Sequence, residues 1–226
     1  MPRATPQLQL ETLFVLDGWR RIRSTREPQP VPGPAFVFIR GTAACAWAVR
    51  ADVAGCLAGE LDRLASQERP SATWDQPLLH ARRYEDILGG RIKWGPAFEF
   101  PDQLPPTGGE SVVRDEAALN HHFAGWVAGE IESGRAPVMA VHEGGYPVSV
   151  CFCARRSAAA AEAGVETAGA FRGRGYAPRV TTAWAAAVRR QGLVPLYSTG
   201  WENDASRAVA RKLDLVPFAT DFAIDA

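Results

Sequence analysis

The sequence predicts an α/β (α+β) protein, with a smaller α/β region over residues 1–105 followed by a second unit over residues 106–226. Three observations lead to this prediction. Strand and helix patterns alternate along both halves of the chain. The segment PDQLPPTGG, at 101–109, has the proline and glycine content of a linker. With 226 residues and 46% hydrophobic content, the chain is long enough for one large or two small domains.

The first region begins with strand patterns. The segment LFVLD, a turn at Asp17 and Gly18, and WRRIR predict a hairpin, and two further strands, AFVFIRG and CAWAVR, follow. Asp52 is expected to cap a helix over 53–66, where apolar residues recur every three or four positions. Residues 67–100 show no regular pattern and allow no assignment.

The second region has a clearer order of elements. A strand, SVVR, precedes helical material over 115–133, and two strands, PVMAVHE and YPVSVCFCAR, are joined by a tight glycine turn. A third strand, AAEAGVETA, leads into a turn with several glycines and then an amphipathic helix. Gly192 ends that helix, and LVPLYST returns as a strand.

Charge and cysteine content exclude several classes of protein. Lys plus Arg and Asp plus Glu are equal, at 25 each, so no net charge attracts nucleic acid, a membrane surface or an acidic polymer. The four cysteines have no metal-ligand spacing, so we expect reduced thiols and no metal. We find neither a signal peptide nor a membrane-spanning run, and we therefore expect a cytoplasmic protein.

The turn FRGRGYA, between the third strand and the amphipathic helix, has the features of an anion site. Backbone N–H groups at a helix start are unpaired and lie at the positive end of the helix dipole. Gly173 and Gly175 allow a diphosphate to approach the backbone, while Arg172 and Arg174 add positive charge. Taken alone, the turn is equally well explained as a tight connection with solvated arginines.

Arg172, Gly175 and Ala177 fill the pattern R/QxxGxG/A, which resembles the coenzyme A pyrophosphate loop of the GNAT acyltransferases. GVETAGAF looks like the fourth strand of that family, and YSTGWENDASRAVARKLDLVPF looks like its fifth strand and last helix. The resemblance implies the GNAT fold, a mixed and mostly antiparallel central sheet flanked by helices. More narrowly, the chain is similar to uncharacterised bacterial GNAT proteins with an additional N-terminal region.

The resemblance also implies a set of residues that bind coenzyme A. In this family the fourth strand diverges from the fifth, and the pantetheine arm lies in the gap like an added strand. The residues expected at the cofactor are Val165, Glu166, Thr167, Arg172, Gly173, Arg174, Gly175, Tyr176, Ala177, Asn203 and Ser206. Asn203 is equally well explained as the cap of the last helix.

An amine acceptor is mostly protonated at neutral pH, so its proton needs a base. Strand alternation places Glu162 and Glu166 on one face of the third strand, and Glu162 lies nearer the usual position of the GNAT base. Both glutamates are also explained as solvated charges. The lesser candidates are His121, His122 and His142.

The family often supplies a tyrosine from its last helix to protonate the leaving thiolate, and this chain has Ala210 there. Tyr197 or Tyr176 is a substitute, although either is equally a packing aromatic. A thiolate is also a tolerable leaving group without an acid. Asp214 replaces the glycine usual at the helix end, and Asp tolerates the left-handed conformation better than most residues.

The resemblance implies an acetyl-CoA-dependent N-acetyltransferase that acts on a primary amine of a small molecule. Two alternatives stay open: a catalytically silent acyl-CoA binding module, and a transferase for a longer acyl group. We expect no nucleic-acid or membrane partner, and a homodimer is compatible with the sequence. The first region contributes to the acceptor pocket in similar proteins, and its candidates are Arg82, Arg83, Tyr84, Trp94 and Glu99; a surface helix and a seam between domains explain them better.

Overall fold

The computed structural model describes residues 3–225 and contains, within them, eleven strands and six α-helices. The strands are β1 Phe14–Leu16, β2 Ile22–Thr25, β3 Phe36–Gly41, β4 Cys45–Val49, β5 Ile92–Glu99, β6 Ser111–Val113, β7 Val138–Glu143, β8 Tyr146–Arg156, β9 Ala160–Thr167, β10 Val194–Ser198 and β11 Val216–Ile224. The helices are α1 Pro6–Leu13, α2 Gly55–Ala65, α3 Ala81–Leu88, α4 Glu116–Leu119, α5 Tyr176–Arg190 and α6 Asp204–Lys212.

Nine strands form one sheet in the order β4-β3-β11-β5-β10-β9-β8-β7-β6, and β1 and β2 form a separate hairpin. The β9–β10 pair is parallel, and the other neighbouring strands in this sheet are antiparallel. The predicted mixed, mostly antiparallel sheet is therefore confirmed. Its helices flank both faces: α5 packs on β7, β8 and β9, while α1 packs on β3, β4 and β9.

Strands from both predicted regions alternate in this sheet. The strand β5 lies between β10 and β11, and β11 is in turn bonded to β3. The registered pairs between β11 and β5 run from Val216↔Glu99 to Ile224↔Ile92. The domain boundary near residue 105 stays a prediction. Strands from both sides of that boundary nevertheless form one continuous hydrogen-bonded sheet.

Several predicted elements are confirmed. The β1–β2 hairpin forms as predicted, and Asp17 Oδ1 accepts the amides of Trp19 and Arg21, both at 2.9 Å. The strands predicted as AFVFIRG and CAWAVR appear as β3 and β4, and those predicted on both sides of the glycine turn appear as β7 and β8.

Two helix predictions were wrong in detail. The helix predicted over 53–66 begins only at Gly55, and Asp52 does not cap it because its carboxylate pairs with Arg50 Nε at 2.6 Å. The helix predicted over 115–133 is limited to α4 and a π-helical turn at Ile131–Arg135. The segment between them folds back, because Glu116 Oε1 accepts the Ile131 amide at 2.9 Å.

Within residues 3–225, no helix combines the length and apolar character that a membrane crossing needs.

Position 95 on β5 requires glycine because the backbone of another segment lies directly against it. An ideal Cβ at this position lies 1.9 Å from the carbonyl oxygen of Thr199, in the loop between β10 and α6. We expect Gly95→Ala to cost about 3 kcal/mol or more of unfolding free energy, because backbone must move to admit the methyl group. Chemical denaturation measures this cost.

The matched control is Gly59→Ala, because Gly59 lies inside α2 with open space where its Cβ would be. That substitution should stabilise the protein by about 0.5–1 kcal/mol. Equal stability of the two variants would show that the loop after β10 does not rest on β5 as described.

Candidate functional site

The strands β9 and β10 run together for three registered pairs and then diverge. Pairing begins at Val194↔Ala160 and ends at Leu196↔Glu162. Beyond that point β9 continues to Thr167 along β8, whereas β10 continues to Ser198 along β5. The fork leaves the facing backbone edges of both strands open, with Glu162 at its vertex.

A cleft of about 840 Å³ opens at this fork. Its walls are the end of β9, the loop before α5, the end of β10 and one side of α6. The predicted site residues that line it are Val165, Glu166, Thr167, Arg172, Gly173, Gly175, Tyr176, Ala177, Tyr197, Asn203 and Ser206. The structure thus brings together residues that lie up to about forty positions apart in the sequence.

Two predicted residues do not line this cleft: Arg174 and Glu162. The Arg174 guanidinium stacks over the Phe171 ring at 4.9 Å, and its Nη2 donates to the Ala170 carbonyl at 3.2 Å. Arg174 therefore packs against the outer side of the loop. The Glu162 backbone is at the vertex of the fork, but its side chain contacts Gln9 of α1 instead of lining the cleft.

The loop before α5 has the conformation of an anion site. Gly173 and Gly175 have φ values of 78° and 79°, and a Cβ at either position would meet nothing within 4 Å. No side chain of the described residues caps α5, whose N-cap is Gly175. The free amides at the helix start therefore face open space, and Arg172 adds positive charge beside them.

The α6 side of the cleft is polar. Asn203 Oδ1 accepts the amide of Ser206 at 3.0 Å, so Asn203 caps α6 and also lines the cleft. The Tyr197 hydroxyl lies 2.6 Å from Ser206 Oγ. Burial raises the pKa of Tyr197 to about 12, so this hydroxyl keeps its proton at neutral pH.

Glu162 is only 3% exposed and faces α1 rather than solvent. The Ser198 hydroxyl donates to Glu162 Oε1 at 2.5 Å, and Gln9 Nε2 lies 3.5 Å from Glu162 Oε2. Burial, the largest cause, raises the pKa of Glu162, so this carboxyl holds a proton more readily than an exposed one. Ser198 lines the cleft and so connects it with the buried carboxylate.

The other candidate bases have different surroundings. Glu166 is exposed at the cleft, and His122 also lines it. His121 is exposed and stacks on Tyr146 with ring centroids 3.8 Å apart, while His142 lies beside Ser111 at 3.3 Å. Of these candidates, Glu162 combines burial with a hydrogen bond from a cleft residue.

The structure shows the surroundings of the residues at α6 that depart from the family pattern. Ala210 is buried against the core and does not line the cleft. Asp214 has φ 50°, which confirms that an aspartate occupies the left-handed position after α6. The hydroxyl of Tyr176, the second candidate acid, donates a hydrogen bond to Glu143.

The candidates from residues 1–105 lie away from this cleft. Arg82 and Arg83 are exposed on α3, where Arg83 pairs with Glu60 at 2.7 Å, and Tyr84 is buried beneath them. Trp94 stacks on Phe222 of β11 with centroids 5.4 Å apart. The fifth, Glu99, pairs with Arg3 at 3.1 Å. These positions fit a surface helix and a seam.

Sequence patterns did not point to two residues that contact the candidate base Glu162, namely Ser198 and Gln9. Ser198 was within reach of prediction, because it follows Tyr197 on a strand already placed at the cofactor. Gln9 belongs to α1, which no pattern predicted, and its contact with Glu162 spans 153 positions.

Comparisons with known proteins bear on the family and the fold. A model of the family described as GNAT acetyltransferase matches residues 135–216. No curated protein matches the chain. The structure is similar to a GCN5-related N-acetyltransferase from Sphaerobacter thermophilus, with a TM-score of 0.51, 16% identity, and 84% of this chain and 76% of that chain covered.

Two further solved structures are similar. A Drosophila protein has a TM-score of 0.50 and 10% identity, with 80% of this chain and 70% of that chain covered. A protein of the GNAT family from Novosphingobium aromaticivorans has a TM-score of 0.49 and 19% identity, with 59% of this chain covered. The chain spans 64% of the length of that protein. At these identities the likeness concerns the fold alone.

Proposed function

We propose, from the match of a GNAT acetyltransferase family model to residues 135–216, that the chain transfers an acetyl group from acetyl-CoA to a primary amine of a small molecule. The observation that carries the proposal is the fork between β9 and β10, with free helix-start amides at one end and Glu162 at its vertex. The chain's net charge of zero supports a small-molecule acceptor over nucleic acid.

The space and the hydrogen-bond donors of the cleft support coenzyme A as its ligand. The space beside Gly173 and Gly175 admits a diphosphate, and amides there face it without a side-chain cap. The open edge of β9 from Ala163 to Thr167 offers backbone groups to a pantetheine amide. Bound acetyl-CoA supplies the acyl group as a thioester.

We assign the proton transfers to residues of this chain. As the amine nitrogen bonds to the acyl carbon, Glu162 takes the amine proton through the Ser198 hydroxyl, which already donates to it at 2.5 Å. As the carbon–sulfur bond breaks, the Tyr197 hydroxyl, which burial keeps protonated, supplies a proton to the sulfur. Tyr197 thereby takes the role that Ala210 cannot perform. Solvent in the cleft then restores the Tyr197 proton and takes the proton from Glu162, which closes the cycle.

Thiol release from acetyl-CoA across a panel of small primary amines tests the proposal. We expect release that depends on an amine and saturates with it. Coenzyme A binding without turnover for any acceptor would instead indicate a silent binding module. Faster release from a longer acyl-CoA would correct the acyl group and leave the site assignment standing.

Gly175→Leu tests the phosphate loop. A side chain at this position enters the space assigned to the diphosphate, so we expect acetyl-CoA affinity to fall at least about a hundredfold by isothermal titration. Its φ of 79° also imposes a conformational cost of about 1–2 kcal/mol on the fold.

Gly192→Leu is the matched control. Gly192 follows the other end of α5, has φ 77°, and also has open space at its Cβ. Its substitution should cost similar stability and leave acetyl-CoA affinity unchanged. Equal affinities of the two variants would remove the loop from the binding site.

A further inference from the structure

A buried polar cluster lies on the α1 face of the sheet, behind the fork. Gln9 Nε2, on α1, is 3.0 Å from Asp221 Oδ2 on β11 and 3.5 Å from Glu162 Oε2 on β9. Gln9 is fully buried, with 0% exposure. A single amide group therefore bridges carboxyl groups on two strands that β5 and β10 separate.

Hydrogen-bond accounting points to a proton in this cluster. Gln9 Oε1 and Asp221 Oδ1 are buried acceptors that have no partner among residues 3–225. Two ionised carboxylates at one buried amide would leave these acceptors unpaired and place like charges together. A proton on one carboxyl group supplies a donor and removes one of the two charges.

The contacts favour Asp221 as the group that carries this proton. Glu162 accepts the short bond from Ser198 as well as the contact from Gln9, and both stabilise its anion. Among residues 3–225, the Asp221 side chain accepts a hydrogen bond from Gln9 alone. Burial and then the charge of Glu162 raise the pKa of Asp221 to about 7, in agreement with this assignment.

The positive charge that acts on both carboxyl groups is Arg155 of β8, which lies opposite Glu162 in register. Its guanidinium pairs with Glu27 at 2.5 Å, and its charge lowers the pKa of both Glu162 and Asp221. Asp221 itself lies opposite Gly95 of β5 and Ile39 of β3 in register, which bring no titratable group. On β10, the Ser198 hydroxyl faces the cluster, and on α1 the neighbouring Thr12 hydroxyl lies 3.2 Å from Ser157 Oγ.

We propose that Asp221 is a positioning residue for Glu162: through Gln9 the two carboxyl groups form one buried pair that holds a single proton in weakly acidic solution, on Asp221. Glu162 is then ionised and ready to take the amine proton. This role of Glu162 rests on the proposed function, whereas the shared proton does not. Gln9 on α1 and Asp221 on β11, from opposite ends of the chain, thus form the buried surroundings of Glu162.

Carbon-13 NMR of labelled Asp and Glu carboxyl groups tests the pair in the full-length protein without any substrate. In the wild type we expect Asp221 to titrate near pH 7 and Glu162 below it. Glu162→Gln should lower the Asp221 midpoint by at least about half a pH unit, because the neighbouring negative charge is gone. Asp225→Asn is the control for charge on the same part of the chain, because Asp225 forms an exposed pair with Lys93 at 2.8 Å. This substitution should leave both midpoints in place.

Asp221→Asn, which resembles the protonated carboxyl group in shape, provides the activity readout. In the wild type, ionisation of Asp221 should produce an inflection near pH 7 in the profile of kcat, and Asp221→Asn should remove that inflection. An Asp221 midpoint below about pH 5, or one that Glu162→Gln does not move, would overturn the pair. If no amine supports turnover, the proposed function fails, while the NMR titration still decides the proton pair.

Discussion

A fragment of residues 106–226 alone is expected to lack a stable fold and to bind no acetyl-CoA. Deletion of residues 1–105 removes β5, which is hydrogen-bonded to β10 on one side and to β11 on the other. It also removes β3, the other partner of β11, and α1, which covers Glu162. The open backbone edges and exposed apolar faces that result cannot be compensated within the fragment. Circular dichroism and denaturant titration measure the loss.

The control for this deletion keeps both pieces and breaks only the connection between them. The segment around residue 105 is exposed, so co-expression of 1–105 with 106–226 should restore the sheet and acetyl-CoA binding. Cooperative unfolding and unchanged acetyl-CoA affinity of the fragment alone would show that β5 is dispensable, contrary to the sheet order described above.

Glu162→Gln is expected to lower kcat about a hundred- to ten-thousandfold, the range typical of a lost general base. The amide cannot accept the amine proton, but it fills the same buried space beside Ser198. The affinity for acetyl-CoA should stay within about twofold, because Glu162 does not line the cleft. Steady-state kinetics together with calorimetry separate the two effects.

The pH dependence of the reaction rate tests the same assignment of Glu162 as the base. Glu162 acts as a base only when it is ionised, and burial raises its pKa. The rate should therefore fall as the pH drops through a midpoint above the ordinary glutamate value of about 4.3. Glu162→Gln should abolish this limb of the profile.

Glu166→Gln decides between the two candidate bases, and Glu132→Gln, at an exposed position on the π-helical turn, is the control for charge. We expect Glu166→Gln to keep most of the activity. A large loss there with normal rates in Glu162→Gln would move the base to Glu166.

The strands and the long helix in the second half of the fold were predictable because their signals are local. The glycine turn, the helix after it and the strands around it have periodicities that depend on a few neighbouring residues, and their order matches the sheet from β6 to β10. The position of β5 was not predictable. Its pairing with β10 and β11 joins residues about a hundred positions apart, and Gly95 and Pro96 interrupt its strand pattern.

In the candidate site, too, some residues were predictable from the sequence and others were not. The candidate cofactor residues of the loop and of β9 follow from a motif that occupies a short stretch of chain. Glu162 was selected by resemblance, and its burial against α1 could not be read from strand alternation, which treats it like the exposed Glu166. Asp221 and Gln9 meet across 212 positions, and only the folded sheet brings them together.

A crystal structure of the protein with acetyl-CoA tests the central claim most directly. We predict that the diphosphate lies against the amides from Arg172 to Ala177 and that the pantetheine arm lies between β9 and β10, with its thioester near Ser198 and Tyr197. Acetyl-CoA bound at another surface, or a fork that stays empty at saturating concentration, would contradict this assignment.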